Sequence, residues 1–331
     1  MGPKSRACGR RRALVALLAA IGCAGTARAV VFYSTADPAF NTNAPTGSLA
    51  GSGWQWVGTF GAYAATPISQ NCFLAAHHIG GTVGTPIVYN GVSYPTVAYY
   101  DDTVSDLRVW VIGGSFPRWA PIYRGSNEVG MSLVVVGMGL GRGSPVMVNG
   151  TLAGWLWGSG GGALRWGTNT VREKINGGSS DPYLLYADFY EDANPASTVA
   201  DLASGDSSGP LFINDGTGWT LAGVARAVSG PFSTNAGADG GFNASIFDAR
   251  GLYYESSPGV WTLVPQSVPY PVNTGFYATE VSARAAWIDT ITAANAPGDD
   301  TPALSLAATV TLVLALAGIG VWTLLRGPRM A

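Results

Sequence analysis

The chain of 331 residues contains only two histidines, and they are adjacent: His77 and His78. Far downstream, a glycine-rich segment over residues 204–209 carries Ser207. A serine hydroxyl is a weak nucleophile until a base removes its proton, and imidazole is the most frequent base. If Ser207 is activated in this way, one of the two histidines must be that base. Because no histidine follows Ser207, the chain order excludes an α/β-hydrolase, whose histidine comes after the nucleophile.

A serine–histidine pair also needs a carboxylate that holds the imidazole in one tautomer. Asp101, Asp102 and Asp106 lie between the histidines and Ser207. Asp106 precedes an alternating run rich in β-branched residues over 107–112, which predicts a strand. Asp101 and Asp102 lie in a polar segment, where we expect a solvated turn. Asp106 is therefore the preferred candidate.

Three segments in the right order resemble the trypsin/chymotrypsin family of serine proteases. Residues 74–77, Leu-Ala-Ala-His, are similar to the family's T-A-A-H segment. Residues 205–210 are similar to G-D-S-G-G-P, with Ser208 in place of a glycine. Residues 275–288 are similar to the family's last strand and closing helix, and the segment that begins at Asp106 resembles its D-[ILV]-A-L segment.

The resemblance implies a role for each candidate. Ser207 is expected to be the nucleophile, His77 the general base and later the acid, and Asp106 the group that orients the imidazole. The backbone N–H groups of Gly205 and Ser207 are expected to form the oxyanion hole. His78 is expected to have no chemical role. The implied activity is hydrolysis of peptide bonds in polypeptide substrates through an acyl-enzyme, without cofactor or metal ion.

The implied substrate pocket involves Asp201, Arg226 and Gly275. Asp201 stands six residues before Ser207, where trypsin-like members carry the acid that selects Arg or Lys side chains. This chain lacks the disulfide that braces the family's pocket. Arg226 stands where the family has a serine, and it could neutralise Asp201. A plain loop carboxylate at Asp201 therefore remains an alternative to the specificity role.

The family pairs the Asp before its nucleophile, here Asp206, with a newly released N-terminal ammonium. No Ile/Val-Val-Gly-Gly segment occurs near the start of this chain. Cleavage after Ala29 would expose Val30, which is one alternative partner. The favoured expectation is another internal partner for Asp206 and a protease made without a zymogen step.

Short runs of Val, Ile, Tyr, Trp and Leu alternate with turn residues, and the chain has 46 glycines. This pattern predicts an all-β barrel or sandwich. The resemblance implies a chymotrypsin-like double six-stranded β-barrel with a short C-terminal helix, within a protease domain over residues 30–295. We expect the barrels at about 54–124 and 129–281. Residues 229–271 are expected to form a long loop or added hairpin, and the Trp/Gly-rich segment 154–167 a packed hairpin or a carbohydrate-binding strip.

Both ends of the chain carry targeting signals. Basic residues, a short apolar run and the Ala27-Arg-Ala29 site predict a signal peptide over residues 1–29, with Cys23 allowing a lipoprotein box instead. In the segment 296–331, a polar linker precedes an uncharged run over 303–325, and basic residues follow the run. The uncharged run is long enough to span a bilayer. This layout predicts either a permanent membrane anchor or a sorting signal that an exosortase-type enzyme removes. The indicated location is the surface or exterior of a Gram-negative bacterium.

Charge narrows the class of function further. Eight of the 18 basic residues lie in residues 1–29 and 303–331, which leaves ten against all 20 acidic residues, a net charge near −10. This disfavours a nucleic-acid partner. Cys72 is the only cysteine outside the signal segment, and we expect it to be a buried apolar residue. The leading hypothesis is an exported serine endopeptidase, and the alternative is a catalytically silent, protease-like surface binding protein.

Overall fold

The structure, a computed structural model, describes residues 29–179, 181–237 and 240–297. Its strands are β1 (Val31–Phe32), β2 (Gly58–Phe60), β3 (Tyr63–Pro67), β4 (Cys72–Ala76), β5 (Pro86–Tyr89), β6 (Val92–Asp101), β7 (Leu107–Ile112), β8 (Ser132–Gly137), β9 (Arg142–Val148), β10 (Thr151–Trp157), β11 (Arg165–Thr170), β12 (Glu173–Ile175), β13 (Leu184–Phe189), β14 (Ala200–Asp201), β15 (Pro210–Asn214), β16 (Trp219–Val228), β17 (Phe232–Ser233), β18 (Ala244–Ile246), β19 (Tyr253–Ser257), β20 (Val260–Leu263) and β21 (Thr274–Glu280). One α-helix, α1 (Ala285–Ala294), closes the described region, and four short 3-10 turns cover Gly47–Leu49, Trp54–Trp56, His77–Ile79 and Ser282–Arg284.

The first half is a closed barrel with the strand order β2-β3-β4-β7-β6-β5. Strand β4 is buried on both faces, and alternate residues of a strand point to opposite sides. Phe73 and Ala75 pack inside the barrel against Trp110. Cys72 and Leu74 pack in the core shared with the second half. The strand that leads to the histidines is therefore fixed by packing on both sides.

The second half is a seven-stranded sheet with the order β11-β8-β15-β16-β21-β13-β12. The sheet curls so that β11 approaches β13. The side-chain amide of Asn169 on β11 donates a hydrogen bond to the carbonyl of Asp188 on β13 at 2.8 Å. The expected second six-stranded barrel is thus an open, curled sheet of seven strands. The predicted all-β, chymotrypsin-like class with a short closing helix is confirmed.

The extra segment near the end of the second half forms added strands. It contributes β17, β19 and β20, which make a small sheet, and β18, which pairs with β10 of the Trp/Gly-rich segment. Trp155 of β10 is buried, and its ring packs on Tyr33 and Phe247. The guanidinium of Arg142 lies 3.7 Å from the centre of this ring. Trp155, the first of the three tryptophans in the segment, is therefore used in packing and is not exposed for stacking on a sugar.

The expected location signals fall mostly outside the described residues. The predicted signal peptide ends at Ala29, where the described residues begin, and the apolar run over 303–325 lies outside the described residues. Across residues 29–179, 181–237 and 240–297, no helix combines the length and apolar character needed to cross a membrane. Cys72, as predicted, is a buried free cysteine.

Candidate active site

Ser207 lies in a tight turn immediately before β15. Gly205 has a φ of +91°, and a Cβ atom there would lie 2.8 Å from the Cα of Gly139, so the turn requires glycine at this position. Ser208 adopts a φ of +67°, and its N–H donates to the carbonyl of Ala225 on β16 at 2.9 Å. The turn is therefore held against two neighbouring segments, and Ser207 stands at its corner.

His78 lies between Asp106 and Ser207. Its Nδ1 is 2.5 Å from Oδ2 of Asp106, and its Nε2 is 2.8 Å from Oγ of Ser207. The backbone N–H of His78 donates to Oδ1 of the same carboxylate at 2.9 Å. This geometry assigns the proton to Nδ1 and leaves Nε2 free to accept the hydroxyl proton.

The prediction that His77 is the base is wrong in this structure. The side chain of His77 is about half exposed, and its Nε2 lies 3.7 Å from Oδ2 of Asp101. The physical reason is the alternation of β4. Its even-numbered residues face the second half of the molecule, where Ala76 donates its N–H to Oγ of Ser208. The chain then turns in a 3-10 segment, and His78 is the residue that reaches Ser207.

The two earlier aspartates are not in the solvated turn that was expected. Asp102 is buried, and Arg284 donates to both its oxygens, from Nε at 2.6 Å and from Nη2 at 2.7 Å. Asp101 is only partly exposed and accepts two hydrogen bonds from Arg108, which lower the pKa of its carboxyl. Asp106 alone, with its side chain 7% exposed, contacts His78 through both oxygens.

The predicted oxyanion donors are available. The neighbouring N–H groups of Asp206, Ser208 and Gly209 donate to carbonyls within or beside the turn. By contrast, the N–H groups of Gly205 and Ser207 have no acceptor among the described residues. Two free backbone donors beside a nucleophile are what a developing oxyanion requires.

The carboxylate of Asp206 is buried behind the turn. Its oxygens accept hydrogen bonds from the N–H of Gly139 at 2.7 Å and of Ala203 at 2.9 Å. The backbone N–H of Val30 is a third donor. Burial raises the pKa of Asp206 to about 7, although these hydrogen bonds and the nearby Arg165 act to lower it. The internal partners expected for Asp206 are therefore backbone amides.

A cavity of about 310 Å³ opens beside Ser207. Its wall is largely apolar and also contains Arg226; the other residues are Trp157, Leu202, Ala203, Ser204, Asp206, Ala225, Ala227 and Val228. Of the three residues expected at the substrate pocket, only Arg226 lines this cavity.

Asp201 and Gly275 are placed elsewhere. Asp201 belongs to β14, pairs with β1 and is buried, and burial raises its pKa to about 7. Its Oδ1 accepts the N–H of Leu202 at 2.9 Å. Gly275 pairs with Asp188 on β13, where an added Cβ would lie 1.9 Å from the carbonyl oxygen of Ala187. The specificity role expected of Asp201 is wrong because its carboxyl faces the protein interior.

Arg226 does not neutralise Asp201 either. Its Nε donates to Oδ2 of Asp181 at 2.7 Å and lies 3.4 Å from Oδ2 of Asp106. Asp181 lies in the connection between β12 and β13. Nothing in the sequence marked this residue, because the contact joins positions 45 apart in the chain.

Comparison with known proteins finds no matching family model, and no curated protein is a match. Among solved structures, the chain is similar to one described as "Kallikrein-related peptidase 10". That likeness covers 74% of this chain and 99% of the other, with 14% sequence identity and a TM-score of 0.42. What the site can do therefore rests on its own geometry.

Proposed function

We propose that this protein is a serine endopeptidase whose catalytic groups are Ser207, His78 and Asp106. One observation carries the proposal. An unbroken chain of hydrogen bonds runs from Oδ2 of Asp106 through both ring nitrogens of His78 to Oγ of Ser207, over distances of 2.5 and 2.8 Å. A nucleophile, a base and an orienting carboxylate in hydrogen-bond contact are the minimum for acyl transfer.

The reaction follows from these contacts. Nε2 of His78 accepts the hydroxyl proton while Oγ of Ser207 attacks the carbonyl carbon of the scissile peptide. The N–H groups of Gly205 and Ser207 stabilise the negative oxygen that forms, each donor contributing about 2.7–4 kcal/mol. The imidazolium then protonates the leaving amine, and the C–N bond breaks to leave an acyl-enzyme. Water attacks the ester by the same route, with His78 as base, and Ser207 regains its proton.

Asp106 stabilises the imidazolium without accepting its proton. Its burial and its two contacts with His78 support this role, since they fix both the tautomer and the ring orientation. The side chain of His77 lies 3.7 Å from the carboxylate of Asp101 and has no part in the scheme.

The preferred substrate is a polypeptide with an apolar side chain at the cleaved bond. The cavity beside Ser207 has Trp157, Leu202 and Val228 in its wall, and the carboxyl of Asp201 is turned away from it. A basic side chain would meet the guanidinium of Arg226 there, and the Asp206 carboxyl in the same wall is buried and bonded to backbone amides. Cleavage after Arg or Lys, which the sequence left open, is therefore not part of the proposal.

The protein is proposed to act outside the cytoplasm, either anchored by its C-terminal apolar run or released by a sorting enzyme. Support comes from the sequence alone: the segment 1–29 has the layout of a signal peptide, and residues 303–325 carry no charge. Expression of the full chain in a bacterial host followed by membrane fractionation tests this. Uncleaved protein that is soluble without detergent contradicts both forms of the proposal.

The activity is tested by labelling the purified protein with a fluorophosphonate probe and mapping the modified residue. We expect one labelled site, Ser207, and no labelling in a Ser207→Ala variant that remains folded. A folded protein that neither labels nor cleaves a mixed peptide library contradicts the proposal and leaves the silent surface-binding alternative. Cleavage of the same library reveals the side chain preferred at the cleaved bond.

A further inference from the structure

Arg226 brings a cation to the outer side of the catalytic carboxylate. Strand β16 carries it there, and its Nε lies 3.4 Å from Oδ2 of Asp106, the oxygen that also contacts Nδ1 of His78. The guanidinium and the imidazole therefore share one carboxylate oxygen. The attraction of Arg226 to Asp106 competes with the attraction between Asp106 and a protonated His78.

Asp181 limits this competition. Its Oδ2 accepts the hydrogen bond of Arg226 at 2.7 Å, which is shorter than the contact between Arg226 and Asp106. Its other oxygen, Oδ1, is buried and has no partner among the described residues. Arg226 is thus the only described hydrogen-bonding partner of the Asp181 side chain, and the two form a partly buried ion pair beside the catalytic groups.

Asp181, Arg226 and Asp106 together carry one net negative charge. Asp181 cancels the charge of Arg226, so the charge of Asp106 can stabilise the imidazolium. Without Asp181, the guanidinium would turn wholly to Asp106, and the imidazolium would lose part of its stabilisation. Without Arg226, two carboxylates would stand close together and one of them would lack a partner.

We propose that Asp181 and Arg226 are a positioning pair for the catalytic carboxylate. Arg226 holds Oδ2 of Asp106, the oxygen that also contacts His78, and Asp181 holds Arg226 so that Asp106 stays bonded to the imidazole. This inference rests on the proposed peptidase function, and it assigns the pair to the rate of the chemical step rather than to substrate binding.

The test uses the full chain and four variants. In Asp181→Asn we expect kcat to fall by about 10-fold with KM changed less than about threefold, within the range known for coupled neighbours. Arg226→Ser should lower kcat similarly. The double variant Asp181→Asn with Arg226→Ser removes both charges together, and we expect it to recover to within about threefold of the parent. Asp248→Asn is the matched control. It breaks a partly buried Asp–Arg pair with Arg250 in the added segment, neither residue lines the cavity beside Ser207, and it should leave kcat unchanged.

A second readout does not depend on activity. The chain has two histidines, so ¹⁵N-histidine labelling gives two rings, and His77→Ala identifies them. We expect the Nδ1–H proton of His78 to resonate far downfield, to move upfield in Asp181→Asn and to return in the double variant. An inactive parent contradicts the proposed function, yet this resonance still tests the pair.

Three results overturn the pairing proposal. One is an Asp181→Asn variant with a lower thermal midpoint but unchanged kcat per labelled serine and an unchanged His78 resonance, which makes the pair structural only. Another is a double variant that is no better than either single variant. A change confined to KM also overturns it, since it assigns Arg226 to the substrate pocket.

Discussion

Oγ of Ser208 accepts a hydrogen bond from the backbone N–H of Ala76 at 3.1 Å, and both groups are buried. Ala76 is the last residue of β4, immediately before the histidine turn, and Ser208 follows the proposed nucleophile. The bond therefore joins the two halves of the molecule beside the proposed catalytic residues. A glycine at this position, as in the motif that the turn resembles, has no side chain with which to make it.

Two substitutions separate the bond from the backbone strain at Ser208. Ser208→Ala removes the acceptor and keeps a side chain at a φ of +67°, whereas Ser208→Gly removes the acceptor and relieves the strain. An unpaired buried N–H costs about 1–3 kcal/mol, and the left-handed conformation costs a non-glycine residue about 1–2 kcal/mol. We expect the alanine variant to be less stable than the parent, and the glycine variant to be more stable than the alanine variant by about 1 kcal/mol. Urea unfolding measures this order, and an alanine variant as stable as the parent contradicts it.

The two histidines should differ sharply in their effect on activity. His78→Ala removes the base and should reduce kcat by at least about 10⁴-fold, because catalytic groups that act as a unit lose nearly everything together. His77→Ala removes only a long, exposed contact with Asp101 and should change kcat less than about threefold. Steady-state kinetics on a fluorogenic peptide measures both. A larger loss of kcat in His77→Ala than in His78→Ala would support His77 as the base, as first predicted from the sequence.

The carboxyl of Asp206 should make the stability depend on pH. Its folded pKa is about 7, well above the usual value of 3.8, so the folded state binds more protons between these two pH values. Stability from this group is therefore full below about pH 4 and is lost as the pH rises to about 7. We expect the free energy of unfolding to fall by a few kcal/mol more between pH 5 and pH 8 in the parent than in Asp206→Asn.

Urea unfolding of the parent and of Asp206→Asn at pH 5 and at pH 8 measures this difference in stability. Asp201 has a similarly raised pKa, but it is present in both proteins and cancels. A parent and a variant that lose stability equally between pH 5 and pH 8 would mean that Asp206 is ionised throughout.

A chain that begins at Val30 should be more stable at neutral pH than one that keeps Ala29. The backbone N–H of Val30 already donates to the buried carboxyl of Asp206. An ammonium at that atom would bring a further positive charge to the carboxylate, in addition to the nearby Arg165. We expect a thermal midpoint higher by at least about 3 °C at pH 7.5, corresponding to roughly 1 kcal/mol for a domain of this size.

The matched control for this prediction carries Asp206→Asn, in which the position of the N-terminus should not matter. Equal midpoints for the two N-termini in the parent would show that the new ammonium does not reach the carboxyl. Faster fluorophosphonate labelling of the Val30 form would show in addition that the ion pair organises the serine turn.

The sequence predicted the fold class and placed Asp106 and Ser207 in the same site, because these depend on alternation and on a turn that only certain residues can form. It failed at the histidine by one position. The Leu-Ala-Ala-His match identifies the segment, but the residue that reaches Ser207 depends on how β4 ends and the chain turns. Following which face of β4 each residue occupies would have favoured His78.

The failures at Asp102 and Asp201 share a cause. Both were assigned from their neighbours in the chain, yet both are buried by distant segments: Asp102 by Arg284, 182 residues away, and Asp201 by its pairing with β1. Asp181 was missed for the same reason. Ion pairs between distant residues leave no local pattern, so one sequence alone does not reveal them.

The position of β21 has a consequence for the timing of synthesis. It is the last strand of the described region, yet it lies inside the seven-stranded sheet between β16 and β13, and Arg284 just after it binds Asp102. A ribosome-bound chain that stops before residue 274 lacks both β21, the partner strand of β16, and Arg284, the cation that fixes the loop before Asp106. We expect such nascent chains to have no proteolytic activity, which would protect the producing cell until the whole domain has been synthesised and exported.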